Sequence, residues 1–401
     1  MLAVVFLAIF LSLINSVIFS LYKRRHSFFN VKMMNWLYLY HSFFFLVYYT
    51  YAQFNLSDSH RYYLNITENY SNWFQAFGTD TKFIHFLGYP FFKLGFTYEM
   101  LMFLFSWFGY LGFVYAYLFF REKIPMKIKV FKSLDFLTLI LFFPNMHFWS
   151  ASLGKGAPIF MGLMMFAYGI LQPKKRLFLL VLASTVIFYI RPHVFMFVAV
   201  GTVIGYFSGR DKISAWKKIL VSGLMLGALI LVQDKILAVV DLQGSDDLIE
   251  DFGEFSEIRS EDLSSAGSGV DMSTYPLPLK LFTFWFRPLF LDAPNMLGII
   301  TSVENLAYLL LFLKIIKKDF IKFLRKAPSA VKMSFVIFFT TSLAMTFVMS
   351  NLGIIMRQKT MVMYFLFFVI YYYLAQKKYT RLLKLKKRKL LLKKQRELAL
   401  V

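Results

Sequence analysis

The sequence predicts an all-α, polytopic integral membrane protein with about eleven transmembrane helices. Three observations carry this. Of the 401 residues, 58% are hydrophobic, 17% are charged and 50 are phenylalanine, a balance suited to lipid as the main solvent. Apolar runs near bilayer-spanning length recur along the whole chain. The loops between them alternate in charge.

In chain order the spans fall at about 2–22, 35–54, 96–120, 134–150, 157–172, 176–190, 193–208, 218–234, 295–313, 332–350 and 360–376. Several are shorter than the roughly 20 residues a crossing usually takes, so they are expected to be tilted or broken. The first has no basic segment before it and Lys23-Arg24-Arg25 after it, so it reads as a retained helix and not a signal peptide.

Basic residues collect in every second loop: Lys23 to Lys32, Arg121 to Lys132, Lys174 to Arg176, Arg210 to Lys218 and Lys314 to Lys332, then the tail from Lys377. These stretches hold about three quarters of all Lys and Arg, and the positive-inside rule makes them cytoplasmic. The N-terminus is then outside and the C-terminus inside, which needs an odd number of spans. Residues 1–376 form one transmembrane domain, and 377–401 a basic cytoplasmic tail. The leucines among the tail's cations fit an amphipathic helix on anionic lipid as well as a solvated tail. The net charge of +23 is therefore mostly a topology signal and does not point to nucleic acid.

Other classes drop out. With no cysteine there are no disulfides, thiolate zinc sites or cysteine nucleophiles. No phosphate-binding loop or dinucleotide fingerprint is present. His60, His85, His147 and His193 match no standard metal spacing, so no cofactor is expected and no divalent metal is assigned.

The outer face carries the unusual residues. Its loops lie at about 55–95, 144–157 and 234–294, with a tight turn at Ile190-Arg191-Pro192-His193 and a last turn at Asn351-Leu352-Gly353. The long loop is acidic over 234–271, with eleven carboxylates against two basic residues. The carboxylates of 241–262 read as a solvated, partly flexible segment, and Ser264 to Gly269 as a mobile loop able to gate a cavity. Lys155, Arg191, Arg287, Arg357 and Lys359 sit at or just inside the outer membrane edge, where positive charge is disfavoured. One such residue snorkels readily to head groups. Five together suit a protein cavity holding an anionic head group whose tail lies in lipid, such as a polyprenyl phosphate or pyrophosphate.

Asp58, in the run Asp58-Ser59-His60-Arg61-Tyr62-Tyr63, is placed to take a proton from a sugar hydroxyl, or is an ordinary loop aspartate paired with Arg61. The tyrosines suit stacking on sugar rings or anchoring at the interface. Glu304 falls inside the ninth span, a functional candidate or the partner of a cavity arginine.

These stretches resemble bacterial exopolysaccharide and O-antigen repeat-unit polymerases, and are similar to the wider C-type (GT-C) membrane glycosyltransferase superfamily. The matching residues are Asp58 to Tyr63, Pro144 with Phe148-Trp149-Ser150 and Lys155, Arg191-Pro192, Arg287-Pro288 with Asn295, Ser302, Glu304 and Asn305, and Gly353 with Arg357. The resemblance implies a GT-C-like helical fold in the bacterial inner membrane and a polyprenyl-linked saccharide as donor. It also implies an outward-opening site, with other envelope-biosynthesis proteins as possible partners. Carried over, Asp58 is the base, with His60 or His193 as alternatives, and Lys155, Arg191, Arg287 and Arg357 hold phosphate. Arg61, Tyr62, Trp149, His193 and Glu304 complete the candidate substrate site. Rival readings are a lipid-linked saccharide transporter or flippase, and a non-catalytic subunit of an envelope assembly complex. No internal repeat supports the repeat-built transporter folds.

Overall fold

In the computed structural model the chain is all-α and 80% helical; among the described residues the strands are one two-stranded hairpin, β1 (Lys129–Val130) with β2 (Leu134–Asp135). The structure describes residues 1–55, 57–211, 214–239, 247–265, 268–272, 274–293 and 295–398. The helices run α1 (Leu2–Arg25), α2 (Val31–Phe54), α3 (Asp58–Glu68), α4 (Thr81–Lys93), α5 (Tyr98–Lys123), α6 (Phe136–Leu141), α7 (Pro144–Trp149), α8 (Gly156–Gly169) and α9 (Leu177–Ile190). Then follow α10 (Pro192–Ser208), α11 (Ala215–Val239), α12 (Leu248–Ser264), α13 (Leu277–Phe286), α14 (Met296–Phe312), α15 (Lys318–Lys326), α16 (Ser329–Val348) and α17 (Leu352–Leu398).

Among the described residues, α1, α5, α16 and the first part of α17 are long and apolar enough to cross a membrane. Apolar helices of 10–17 residues, among them α8, α9, α10 and α14, accompany them. α1 turns Phe6, Ile9, Phe10, Leu13 and Val17 outward, and α11 exposes Leu220, Leu224, Ile230 and Leu231. Such faces suit lipid and not water, which makes this a membrane-embedded protein.

The core is aromatic. α5 packs on α8, α8 on α9, and α10 on α16, with α17 threading the centre against α16, α8 and α5. Phe119 stacks on Phe368 with ring centroids 4.1 Å apart, and Tyr364 donates to the Ile140 carbonyl at 2.7 Å. A buried histidine pair ties four helices together. His41 of α2 meets His147 of α7 at 2.8 Å between Nδ1 atoms, and the two Nε2 atoms bond the carbonyls of Ser106 and Leu141.

Small residues let backbones approach where the site is built. A Cβ on Gly109 of α5 would stand 2.1 Å from the Ser150 carbonyl oxygen, just past α7. Gly109→Ala is expected to destabilise the protein by about 1–3 kcal/mol, because backbone cannot yield as a side-chain tip does. Gly223→Ala in α11 meets no atom within 4 Å and is the control, expected to stabilise the protein by about 0.5–1 kcal/mol through helix propensity. Unfolding in detergent measures both.

Local structure differs from the sequence reading at four places. The span at 134–150 is not one helix: Pro144 lacks an amide hydrogen and restricts Phe143, so the run breaks into α6 and α7. The loop at 55–95 is folded into α3 and α4. The acidic stretch becomes helix α12 from Leu248 and packs on α16. Asp241 and Asp246 lie outside the described residues, as do Ala266 and Gly267 of the proposed gating loop. The tail from Lys377 is no separate segment, since α17 runs unbroken from Leu352 to Leu398. Leu, Lys, Arg and Gln are strong helix formers, so the composition changes there while the backbone does not.

Candidate functional site

One end of α17 gathers residues from five parts of the chain. α3 begins with Ser57, whose hydroxyl caps the Ser59 amide and contacts the hydroxyls of Tyr48 at 3.2 Å and Ser59 at 2.8 Å. Ser59 reaches Tyr98 at 2.7 Å, so a chain of hydroxyls pins α3 to α2 and α5. This fixes Asp58, at the first helical position, where its carboxylate accepts from Arg357 Nη1 at 2.9 Å. Asp58 therefore pairs with Arg357, 299 residues on, and not with Arg61.

A second ion pair stands beside the first. Lys155, just before α8, donates to Asp80 at 2.5 Å. Asp80 sits at φ 62°, a left-handed backbone uncommon for residues other than glycine, held by its amide hydrogen bond to the Tyr189 carbonyl at 2.6 Å. Burial pushes the Asp80 carboxyl up, but the Lys155 ammonium outweighs it and leaves it below the ordinary carboxylate value. Burial moves Lys155 down, and Asp80 only partly offsets that. Gly154, at φ 156°, closes the turn before Lys155 with Tyr62 against it.

Arg191 is the third cation. It is the single residue between α9 and α10, with Pro192 opening α10, and it is 8% exposed. No carboxylate contacts it among the described residues, and its Nε has no hydrogen-bond partner there. Arg191, Arg357, Trp149, Ser150, Gly156 and Gln358 line a small cavity of about 10 Å³, room for roughly one water molecule. Trp149 Nε1 and Gln358 Oε1 are also buried without partners. So is Nδ1 of His193, which feels the charges of Arg191, Asp80 and Lys155. Buried polar atoms are normally satisfied, and three orphans lining one cavity, with His193 next in chain to Pro192 and Arg191, mark a place for a polar guest, water or ligand. Three cations, Lys155, Arg191 and Arg357, face two carboxylates, Asp58 and Asp80, which leaves one positive charge unmatched. The guest that this balance favours is an anion.

The structure thus joins Asp58, Tyr62, Trp149, Lys155, Arg191, His193 and Arg357. It leaves four expected residues apart. His60 stacks on Tyr98, ring centroids 4.4 Å apart, because residues two apart on a helix face different ways. Arg61 is exposed on α3 with no ion-pair partner among the described residues. Arg287 is bonded to Asp292, and its carbonyl accepts from Lys359 at 2.9 Å. Glu304 pairs with no arginine among the described residues. It accepts from the Asn145 amide at 2.7 Å and from the Tyr308 hydroxyl, and so holds the start of α7, which carries Trp149.

Asp80 and Gln358 are the additions. The Asp80-Thr81 pair before an apolar run resembles a helix start, but nothing in the sequence links Asp80 to Lys155. No group of three or more metal-ligating side chains occurs among the described residues.

Nδ1 of His85 on α4 shares a hydrogen bond with the Tyr70 hydroxyl at 2.8 Å behind this cluster. Burial, then the Lys155 charge, push it from 6.5 to about 4. A neutral imidazole is favoured by folding, so its contribution is whole above about pH 6.5 and is lost as pH falls towards 4. His85→Gln is expected to flatten the stability profile across that window, measured by thermal unfolding at each pH. An unchanged slope would contradict this.

Comparison of the chain with protein-family models, with curated proteins and with solved structures finds no match.

Proposed function

We propose that the protein is a membrane glycosyltransferase or polysaccharide polymerase that uses a polyprenyl phosphate- or pyrophosphate-linked saccharide. It would act on the outer face of the bacterial inner membrane, in an eleven-span, GT-C-like arrangement with the N-terminus outside and the C-terminus in the cytoplasm. The observation that carries this is the Arg191 cavity: an unpaired buried guanidinium beside Arg357, with a carboxylate, Asp58, at the rim.

The chemistry follows from the charges. A sugar hydroxyl attacks the anomeric carbon of the donor. The bond from that carbon to the phosphate oxygen breaks, and the polyprenyl phosphate leaves as an oxyanion. Arg191, Arg357 and Lys155 stabilise the charge that develops on it. Asp58, its side chain 61% exposed, takes the proton from the attacking hydroxyl. Trp149 and Tyr62 are apolar walls with polar tips suited to a sugar ring. The donor carries its own leaving group, so no nucleotide is needed.

The test uses protein reconstituted in liposomes with a polyprenyl-linked oligosaccharide, and products are sized. Asp58→Asn is expected to lower transfer by about two to four orders of magnitude, the usual worth of a positioned base. His60→Ala and Arg61→Ala are expected to stay within about fivefold, as neither faces the cavity. Equal loss in all three would contradict the assignment of Asp58.

A further inference from the structure

The other end of α17 carries a second cationic feature that the transfer reaction does not use. α15 is a short helix that turns Phe320 and Phe323 onto the Tyr373 ring, with centroids 5.4 and 5.1 Å apart. Tyr373 donates to Asp319 at 2.8 Å, and Lys377 bonds the same carboxylate at 2.8 Å. These contacts lock α15 against α17 and leave an open groove of about 530 Å³ between them. Lys322 and Lys326 of α15 line one wall, four residues apart. Lys377, Arg381 and Lys384 of α17 line the other at helical spacing. Phe323 is at its floor.

The charges do not balance. The one carboxylate in the groove, Asp319, is taken by Lys377 and Tyr373. Lys322, Lys326, Arg381 and Lys384 have no carboxylate partner among the described residues. Four cations without carboxylate partners in one groove create a positive potential that favours an anion from outside the chain.

We propose that this groove is a binding site for the phosphate head group of an anionic phospholipid. Its position argues for lipid over a soluble anion. The buried apolar stretch of α17 ends at Ala375, and every described side chain from Gln376 on is exposed. The groove starts there, where the hydrocarbon region gives way to head groups. A phosphate bound between α15 and α17 leaves its acyl chains free to run along the apolar bundle. Arg381 supplies a planar fork, and the lysines supply mobile point charges. The alternation of basic loops puts this end at the cytoplasmic leaflet, whose surface is anionic. The inference rests on the membrane placement and not on glycosyl transfer, so either can fail without the other.

The test is titration of the full-length protein in neutral detergent with phosphatidylglycerol, followed by native mass spectrometry. Phosphatidylcholine and inorganic pyrophosphate serve as comparison probes. Saturable binding of phosphatidylglycerol is expected. The triple variant Lys322→Ser, Arg381→Ser, Lys384→Ser is expected to weaken it about a hundredfold, near fivefold per removed charge. Lys386→Ser with Lys389→Ser, outside the groove lining, is expected to change it less than about threefold. Equal weakening in the two variants, or equal binding of phosphatidylcholine, overturns the site. Displacement of the lipid by pyrophosphate at equal concentration overturns the choice of lipid. Circular dichroism confirms that the variants, all on exposed positions, keep their helices.

Discussion

Arg357→Ala is expected to reduce sugar transfer by about two to three orders of magnitude, the usual loss when a preorganised donor to developing charge is removed. This residue does two things at once. Its Nη1 holds Asp58 at 2.9 Å, and its side chain lines the cavity shared with Arg191. Deletion therefore frees the carboxylate to change rotamer and removes a phosphate ligand. Arg357→Lys keeps the charge but not the planar fork, so it is expected to recover only part of the rate. Asp58→Asn with Arg357→Ala is expected to be little worse than the poorer single variant, since the two act as a unit. Measurement of kcat and kcat/KM for all four proteins checks this. Fully multiplicative losses would mean that the ion pair has no shared role.

Lys359→Met is expected to cost about 2–4 kcal/mol of stability, the loss when buried hydrogen-bond acceptors are left unsatisfied. Lys359 is 0% exposed. Its ammonium donates to Asn305 Oδ1 at 2.5 Å and to the Arg287 carbonyl at 2.9 Å, and its charge acts on Glu304. Without it, two buried acceptors are unpaired and Glu304 loses the favourable charge of Lys359. Glu304 also holds the Asn145 amide, so the start of α7 and the placement of Trp149 loosen with it. The double variant Glu304→Gln, Lys359→Met removes both charges and is expected to be more stable than Lys359→Met alone. Unfolding in detergent, run as a double-mutant cycle, reads the coupling. A double variant as unstable as the sum of the singles would contradict the shared network.

What the sequence made legible follows from the range of its signals. Apolar runs are local, so helices α1, α5, α8, α9, α10 and α16 stand close to where hydropathy puts them. Proline rules are also local: Pro144 opens the outer loop expected at 144–157, yet the span expected at 134–150 runs through it, and the chain in fact breaks there between α6 and α7. The basic tail looked like a new segment because its composition shifts, though helix propensity carries straight through Ala375 into Lys377. The site was half legible. Arg191, Arg357 and Lys155 stand out as cations where a membrane chain avoids them, and the structure brings all three to one place. Which carboxylate meets which cation was not legible. The contact from Asp58 to Arg357 crosses 299 residues, and that from Asp80 to Lys155 crosses 75. No pattern of spacing encodes such pairs. Arg287 satisfied the same rule as the others, and its local partner Asp292, five residues on, is what removes it from the cluster.

The central claim is that this cavity breaks the bond between a saccharide and its lipid phosphate. The most direct measurement counts free polyprenyl phosphate or pyrophosphate released per new glycosidic bond, in liposomes holding the purified protein and a polyprenyl-linked oligosaccharide. The account expects one carrier released for each saccharide transferred, and almost none with Arg357→Ala. Saccharide that crosses the bilayer with its carrier still attached, and no carrier released, would contradict it.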